Sequence, residues 1–166
     1  MKAEIRPATA NDVAAIQEIG HKTWPATYSF AGNGYIAAGL AAYWSREALL
    51  RSLDDTAVLV AADGDEVVGV GNLDVRGDVP VIWKLYVLPH LQGSGIGSAL
   101  LAELLNRAPA GTESVRLEYV DGNERAAAFY AVKGFTESRR EPGEQPGWPE
   151  TVWVERRVAP GVTPKG

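Results

Sequence analysis

Hydrophobic and polar positions recur along this chain with two periods, which predict strands and helices in alternation. A capping box at Thr9 and Asp12 opens a helix prediction that ends near Lys22. Its apolar positions are Val13, Ile16 and Ile19. Further helices are predicted to begin after Ser45, at Ile96 and after Asn123, and strands are predicted over residues 2–7, 57–62, 66–75, 79–88, 114–120, 135–139 and 151–158.

The segment from Thr23 to Trp44 is rich in aromatic residues and breaks the helical pattern. Pro25, Gly32 and Gly34 are predicted to interrupt any long helix in this segment, because proline and glycine both disfavour helix interiors.

The strand at 79–88 is apolar on both faces apart from Lys84, which predicts a central strand covered on both sides of a sheet. The strand ends at Pro89, and a glycine-rich turn then leads directly into the apolar helix that begins at Ile96. Such a turn gathers backbone N–H groups at the positive end of a helix dipole. This arrangement suits a pyrophosphate group.

The glycine spacing in this turn excludes two classes of phosphate-binding site. Gly93, Gly95 and Gly97 are followed by Ser98, so the third glycine falls one place too early for a dinucleotide fingerprint. The chain also lacks the Gly-Lys-Ser/Thr ending of a P-loop. A Gln-x-x-Gly-x-Gly pattern beginning at Gln92 remains, and a turn that binds no ligand is the alternative.

A second pattern follows the strand at 114–120. Asn123, Ala126 and Tyr130 have the spacing Asn-x-x-Ala-x-x-x-Tyr, and Gly134-Phe135 follows them. Together with the glycine turn, this segment resembles the GNAT superfamily of N-acetyltransferases. The two motifs cover residues 79–135, and the opening residues Glu4–Thr9 extend the resemblance over nearly the whole chain.

The resemblance implies an α/β (α+β) fold in a single GNAT domain, with a twisted mixed sheet of about six to seven strands flanked by helices. The central strands are expected to splay apart. We expect the domain to span residues 1–160, with a frayed tail at 161–166.

The resemblance also implies acetyl-CoA as cosubstrate. A backbone N–H near Val87 or Leu88 is expected to stabilise the oxyanion. Many members of the family have arginine where this chain has Gln92, so part of the charge compensation for the phosphates is either lost or supplied elsewhere. The residues expected to bind the coenzyme are Leu85, Tyr86, Val87, Gln92, Gly93, Ser94, Gly95, Ile96, Gly97, Ser98, Asn123 and Tyr130.

Two side chains are candidates for the proton transfers of an amine acetylation. Tyr130 is the candidate general acid that protonates the departing thiolate, and a tyrosine of the core is the alternative. Glu118 is the candidate base, on its resemblance to the ribosomal-protein N-terminal acetyltransferases. The alternatives are a glutamate that is exposed or paired with Arg116, and a water chain with no single base.

The acceptor side is expected to involve Trp24, Tyr28 and Trp148, because the first helices and the loop before the last strand line this site in the family. Aromatic rings with nearby carboxylates suit an acceptor that carries an ammonium group. The alternative is that most of these rings belong to the core or to a dimer contact.

Composition narrows the chemistry further. The chain has 166 residues, which favours one domain, and it has no cysteine, so an acetyl-cysteine intermediate is excluded and direct transfer is expected. The net charge of −5 argues against nucleic acid as a partner. No apolar stretch reaches membrane-spanning length and no signal peptide is evident, which makes the cytoplasm the default location. The two histidines lie far apart in sequence, so we expect no metal site.

The sequence therefore predicts transfer of an acetyl group from acetyl-CoA to a primary amine in a ternary complex. A non-catalytic acyl-CoA-binding or sensor domain of the same fold is the alternative from another class. An enzyme that moves a longer acyl group or acts on a hydroxyl is a third. The acceptor stays open between a small molecule and a peptide, and so does formation of a homodimer.

Overall fold

A computed structural model describes residues 3–158 and contains one seven-stranded sheet in the order β1-β2-β3-β4-β5-β7-β6. The strands are β1 Glu4–Pro7, β2 Ala57–Asp63, β3 Glu66–Asp74, β4 Val81–Val87, β5 Ser114–Val120, β6 Thr136–Glu141 and β7 Thr151–Arg157. The helices are α1 Val13–Thr27, α2 Asn33–Tyr43, α3 Arg46–Asp55, α4 Ile96–Asn106 and α5 Glu124–Val132.

The sheet is mixed, as predicted. Strands β1 to β4 are antiparallel to one another, and β5, β7 and β6 form a second antiparallel group. Only β4 and β5 run parallel. The predicted α/β class and strand number are confirmed.

The two central strands splay apart. Strands β4 and β5 are paired only at Val81 with Arg116 and at Ile82 with Leu117. Beyond Ile82 the strands separate, so the remaining backbone of β4 has no partner in β5. The gap opens toward the glycine turn, because β4 leads into that turn.

Helices cover both faces of the sheet, and alternate residues of β3 show which helix lies on which face. Gly71 faces α4, since a Cβ atom built on this glycine would lie 2.8 Å from the side chain of Leu104. The next residue, Asn72, lines a small space with Ile16 of α1 and Leu49 of α3. Gly71 therefore allows α4 to pack closely against β3.

Three expectations about these elements are wrong. Helix α1 continues to Thr27 and contains Pro25. A proline in the last turn removes only one backbone hydrogen bond, and the burial of Trp24 in the core stabilises this part of the helix. Helix α2 contains Gly34. Strand β4 is not covered throughout, since Trp83 is 44% exposed at a register shift between β3 and β4.

The core is one continuous cluster that joins both helical layers to the sheet. The predicted tail at 161–166 lies outside the described residues, and the predicted domain of residues 1–160 stays a prediction. No helix within residues 3–158 has the length and apolar character needed to cross a membrane. The same stretch contains no group of histidine, aspartate and glutamate residues suited to hold a metal ion.

Candidate active site

A groove of about 450 Å³ lies between β4, the glycine turn and α5. Most of the predicted coenzyme residues meet there, although they come from separate segments of the chain. The lining residues are Thr27, Leu85, Tyr86, Val87, Gln92, Gly93, Gly95, Gly97, Ser98, Asn123, Arg125, Ala126, Phe129 and Tyr130.

The end of β4 forms one wall of the groove. The N–H of Leu88 donates to the carbonyl of Val68 at 2.9 Å, so it is occupied within the sheet. The expected oxyanion role for an N–H at Leu88 is therefore wrong. The N–H groups of alternate strand residues face opposite sides, which directs that of Val87 toward the gap beside β5. Gln92 Nε2 donates to the carbonyl of Val87 at 3.2 Å and ties the strand end to the turn.

The glycine turn leaves a set of backbone donors free. Gly93 and Gly95 have φ angles of 85° and 95°, which side-chain-bearing residues rarely adopt. The first backbone bond of α4 runs from Ala99 N to Gly95 O at 3.0 Å. The preceding N–H groups that have no backbone acceptor within residues 3–158 are those of Gly93, Gly95, Ile96, Gly97 and Ser98.

Two predicted residues of the turn do not line the groove with their side chains. Ile96 is 4% exposed and packs into the core. The Ser94 hydroxyl donates to the carbonyl of Leu91, within the turn itself. We therefore expect these two residues to act through the backbone.

The opposite wall is α5, which the N-cap Asn123 begins. Asn123 Oδ1 accepts a hydrogen bond from Ala126 N at 3.1 Å, so this side chain has a structural role as well as a place in the groove. Gly97 faces α5 across a narrow gap, where an added Cβ would lie 3.8 Å from both Phe129 and Val87.

Tyr130 lies on α5. Its ring packs into the core, and the residue also lines the groove. It is 9% exposed and packs against Phe129 and Phe135 at ring distances of 5.2 and 5.6 Å. Its hydroxyl has no hydrogen-bond partner among the described side chains. Burial, with a smaller contribution from Tyr28, raises the pKa of Tyr130, so the phenol keeps its proton. Both the predicted acid role and the core alternative fit this position.

Glu118 lies on β5, partly buried, on the face opposite the core residue Leu117. The predicted alternative of an ion pair with Arg116 is wrong, because Arg116 Nε binds Glu155 Oε1 at 2.9 Å. Glu118 has no ion pair or hydrogen bond with any side chain that the structure describes. Burial raises its pKa, and repulsion from Glu141 adds to this shift. Such a carboxylate is suited to accept a proton near neutral pH.

Aromatic residues from α1, α2 and the loop before β7 gather in one cluster. Tyr28 packs 5.8 Å from Tyr35, and Trp148 meets Tyr35 edge-on at 5.3 Å. Trp24 is only 5% exposed, and its ring lies over Gly39. The structure thus places Trp24 in the core beneath the cluster, as the alternative interpretation held. Tyr28 is 4% exposed and belongs to the same core, and its contact with the acceptor, like that of Trp148, stays a prediction.

Sequence reasoning missed several residues of the groove. Arg125 is exposed at the start of α5 and has no ion pair within residues 3–158, so its guanidinium is available to a phosphate. The glutamine at position 92, where many members of the family have arginine, indicated that another cation could bind the phosphates. The sequence around Arg125 did not identify it as that cation. Thr27 was not predicted because the helix that carries it was expected to end near Lys22.

Comparison with known proteins agrees with this geometry. The family model described as an acetyltransferase (GNAT) domain matches residues 54–137, about half of the chain. One similar structure is the PaiA N-acetyltransferase of Thermoplasma acidophilum in complex with coenzyme A. It is 22% identical, the match covers 95% of this chain and 100% of that chain, and the TM-score is 0.80.

Two further structures show the same fold. A GCN5-related N-acetyltransferase from Rhodopseudomonas palustris is 21% identical over 95% of this chain and 97% of its own, with a TM-score of 0.81. The ribosomal-protein-S18-alanine N-acetyltransferase of Escherichia coli is 19% identical over 95% and 94%, with a TM-score of 0.73. A comparison with curated protein sequences found no match.

Proposed function

This chain belongs to the GNAT family of acetyltransferases, and on that basis we propose that it transfers an acetyl group from acetyl-CoA directly to a primary amine within a ternary complex. One observation carries the proposal. The gap between β4 and β5 continues into a turn where five backbone N–H groups have no backbone acceptor within residues 3–158, so one groove offers donors at the strand edge and at the turn.

The groove fits the coenzyme in shape and in charge. The free N–H groups at the start of α4 suit the diphosphate, and the exposed guanidinium of Arg125 adds the positive charge that Gln92 does not supply. The unpaired edge of β4 at Leu85 and Val87 suits the amide groups of the pantetheine arm. An added Cβ at Gly97 would contact Phe129 and Val87 at 3.8 Å and would take up groove space that the glycine leaves to a thin chain.

The two side chains without partners divide the proton transfers. The amine nitrogen attacks the thioester carbonyl carbon, and the carbon–sulfur bond breaks. Glu118 takes the first proton from the nitrogen, directly or through water, before the attack. Tyr130 gives a proton to the sulfur, and the second nitrogen proton, released as the amide forms, replaces it. The chain has no cysteine, so the acetyl group passes to the amine without a cysteine intermediate.

The acceptor is a small-molecule or peptide amine that approaches between α1, α2 and the loop before β7. Trp148 and the neighbouring Tyr35 offer ring edges there, beside the buried Tyr28, and Glu118 offers a negative charge. This combination favours an amine that arrives as an ammonium ion. Glu118 then accepts the proton that the ammonium must lose.

The test is a panel of amines with acetyl-CoA, in which release of free thiol is measured beside calorimetric titration of the coenzyme. The proposal predicts binding of acetyl-CoA and turnover with at least one amine. Binding without turnover of any amine would favour the sensor alternative. Absence of binding would contradict both.

A further inference from the structure

Two phenols meet where the groove approaches the aromatic cluster. Tyr28 Oη and Tyr86 Oη are 2.9 Å apart. Tyr86 lies on β4 and lines the groove, whereas Tyr28 follows the last residue of α1 and is 4% exposed. Neighbouring rings hold both phenols, since Trp24 lies 4.5 Å from Tyr28 and Trp44 lies 5.2 Å from Tyr86.

The two hydroxyls of this pair carry two protons, but the hydrogen bond between them uses only one. Each neutral phenol can donate one O–H proton, and in the hydrogen bond between them only one of the two phenols acts as donor. The Tyr86 hydroxyl has no second partner among residues 3–158, whereas the side chain of Asn123 also acts on Tyr28 as a hydrogen-bond donor, which opposes the larger effect of burial on the pKa of Tyr28. Burial raises the pKa of both tyrosines, so both protons are retained at ordinary pH. One O–H donor is therefore left without an acceptor in a largely buried place, which is unfavourable until a ligand supplies one.

The pair interacts electrostatically with both groups assigned to proton transfer. The negative charge of Glu118 adds to the effect of burial in raising the pKa of Tyr28. Tyr28 in turn adds to the effect of burial in raising that of Tyr130. Both groups are thus within electrostatic range of Tyr28, and Tyr86 lines the same groove as Tyr130.

We propose that Tyr86 donates its free proton to the carbonyl oxygen of the acyl group, while Tyr28 positions Tyr86 by donating to its hydroxyl. This inference rests on the proposed function. The donor role falls to Tyr86 because Tyr86 lines the groove and Tyr28 does not. As the amine nitrogen attacks the carbonyl carbon, negative charge grows on the oxygen, and a donor held in place stabilises it.

A comparison of two ligands tests the proposal without knowledge of the acceptor. Acetyl-CoA carries a thioester carbonyl oxygen that coenzyme A lacks, so the change that a variant makes in the ratio of their calorimetric dissociation constants reports on contacts with the acetyl group. We expect Tyr86→Phe to reduce the preference for acetyl-CoA by about three- to tenfold, the size typical of one hydrogen bond. Affinity for coenzyme A should stay unchanged, and Tyr28→Phe should have a smaller effect in the same direction.

Tyr43→Phe is the matched control. Tyr43 is 52% exposed, and its hydroxyl has no partner in the part of the chain that the structure describes. This variant should keep the preference of the wild type. Melting temperatures of all three variants check that removal of a hydroxyl has left the fold intact.

A spectroscopic measurement examines the same contact independently. Acetyl-CoA labelled with ¹³C at the carbonyl should show a downfield shift of this resonance when bound to the wild type, and Tyr86→Phe should lose the shift. An unchanged ligand preference together with an unchanged shift in Tyr86→Phe would overturn the inference. If the wild type itself failed to bind acetyl-CoA, the proposed function would fail instead.

Discussion

Polar side chains that lack partners mark the site at the scale of single residues. Tyr130 is packed among aromatic rings while its hydroxyl bonds nothing in residues 3–158, and Glu118 is partly buried without an ion pair. The sequence predicted both residues from motif spacing. It did not predict the ion pair between Arg116 and Glu155, because this pair depends on the register of β5 against β7.

Replacing Tyr130 by phenylalanine removes the proposed acid and keeps the ring that fills the core. We expect kcat to fall by about 10² or more, within the usual range for acid–base catalysis. Coenzyme affinity should change little. Steady-state kinetics with the best amine of the panel, together with calorimetry, provide the measurement. A fall in stability that accounts for the lost activity would instead support a structural role alone.

Glu118→Gln separates the catalytic value of this residue from its effect on stability. The pKa of Glu118 is raised in the folded protein, so the folded state holds its proton longer than the unfolded state as pH increases. The carboxylate therefore lowers stability above its ordinary pKa and has no such effect at lower pH.

We expect Glu118→Gln to raise the free energy of unfolding at pH 7 by roughly 0.5 kcal/mol, a small value because partial exposure screens the charge. At about pH 3 and below, well under the ordinary glutamate pKa of about 4.3, the gain should vanish. The acetylation rate should fall and lose its rise with pH through the pKa of Glu118. Urea unfolding at both pH values and a pH–rate profile measure these effects. Equal rates for variant and wild type would favour a water chain without a single base.

At the scale of elements, the glycine turn was predictable and the path of α1 was not. Gly93 and Gly95 have positive φ angles, which glycine adopts readily, so the turn can be predicted from the local sequence alone. Helix α1 passes Pro25 because Trp24 is buried against Gly39, a contact between distant segments. Tyr28 and Thr27 reach the groove only because α1 is this long.

Gly97→Ala tests the groove at the start of α4. An added methyl would make ordinary contacts with Phe129 and Val87, and alanine favours a helix over glycine by ~0.5–1 kcal/mol. We expect a protein at least as stable as the wild type that binds the coenzyme about tenfold more weakly, a loss near 1.4 kcal/mol. Thermal unfolding and calorimetry measure the two properties.

Gly34→Ala is the control for that prediction. Gly34 lies at the start of α2, and an added Cβ there would meet nothing within 4 Å. The same gain in stability is expected with no change in coenzyme affinity. Equal affinities of the two variants for coenzyme would show that the gap at Gly97 does not hold the coenzyme.

At the scale of the whole molecule, the fold was predictable because the two motifs occupy adjacent elements in a fixed order. The acceptor side was much harder to predict, because it combines residues 28–35, Glu118 and Trp148, which share no pattern along the chain. Its specificity depends on how three separate segments meet over one end of the sheet.

A single core predicts a single unfolding transition, with the coenzyme acting on all of it. At a coenzyme concentration of one hundred times Kd, binding adds about 2.7 kcal/mol of stability. For a domain of this size, we expect Tm to rise by roughly 5–10 °C. Calorimetric scans with and without acetyl-CoA measure the shift. Two transitions, of which only one responds to the coenzyme, would contradict the single-domain interpretation.

Calorimetric titration with acetyl-CoA of the wild type, Gly95→Ala and Gly64→Ala tests the central claim most directly. Both glycines have positive φ angles and open space around them, but Gly95 begins α4 at the groove and Gly64 lies in the β2–β3 turn. The account predicts one molecule bound per wild-type chain, affinity reduced at least about tenfold in Gly95→Ala, and unchanged affinity in Gly64→Ala. Wild-type protein that released no heat, or equal affinities in all three proteins, would contradict it.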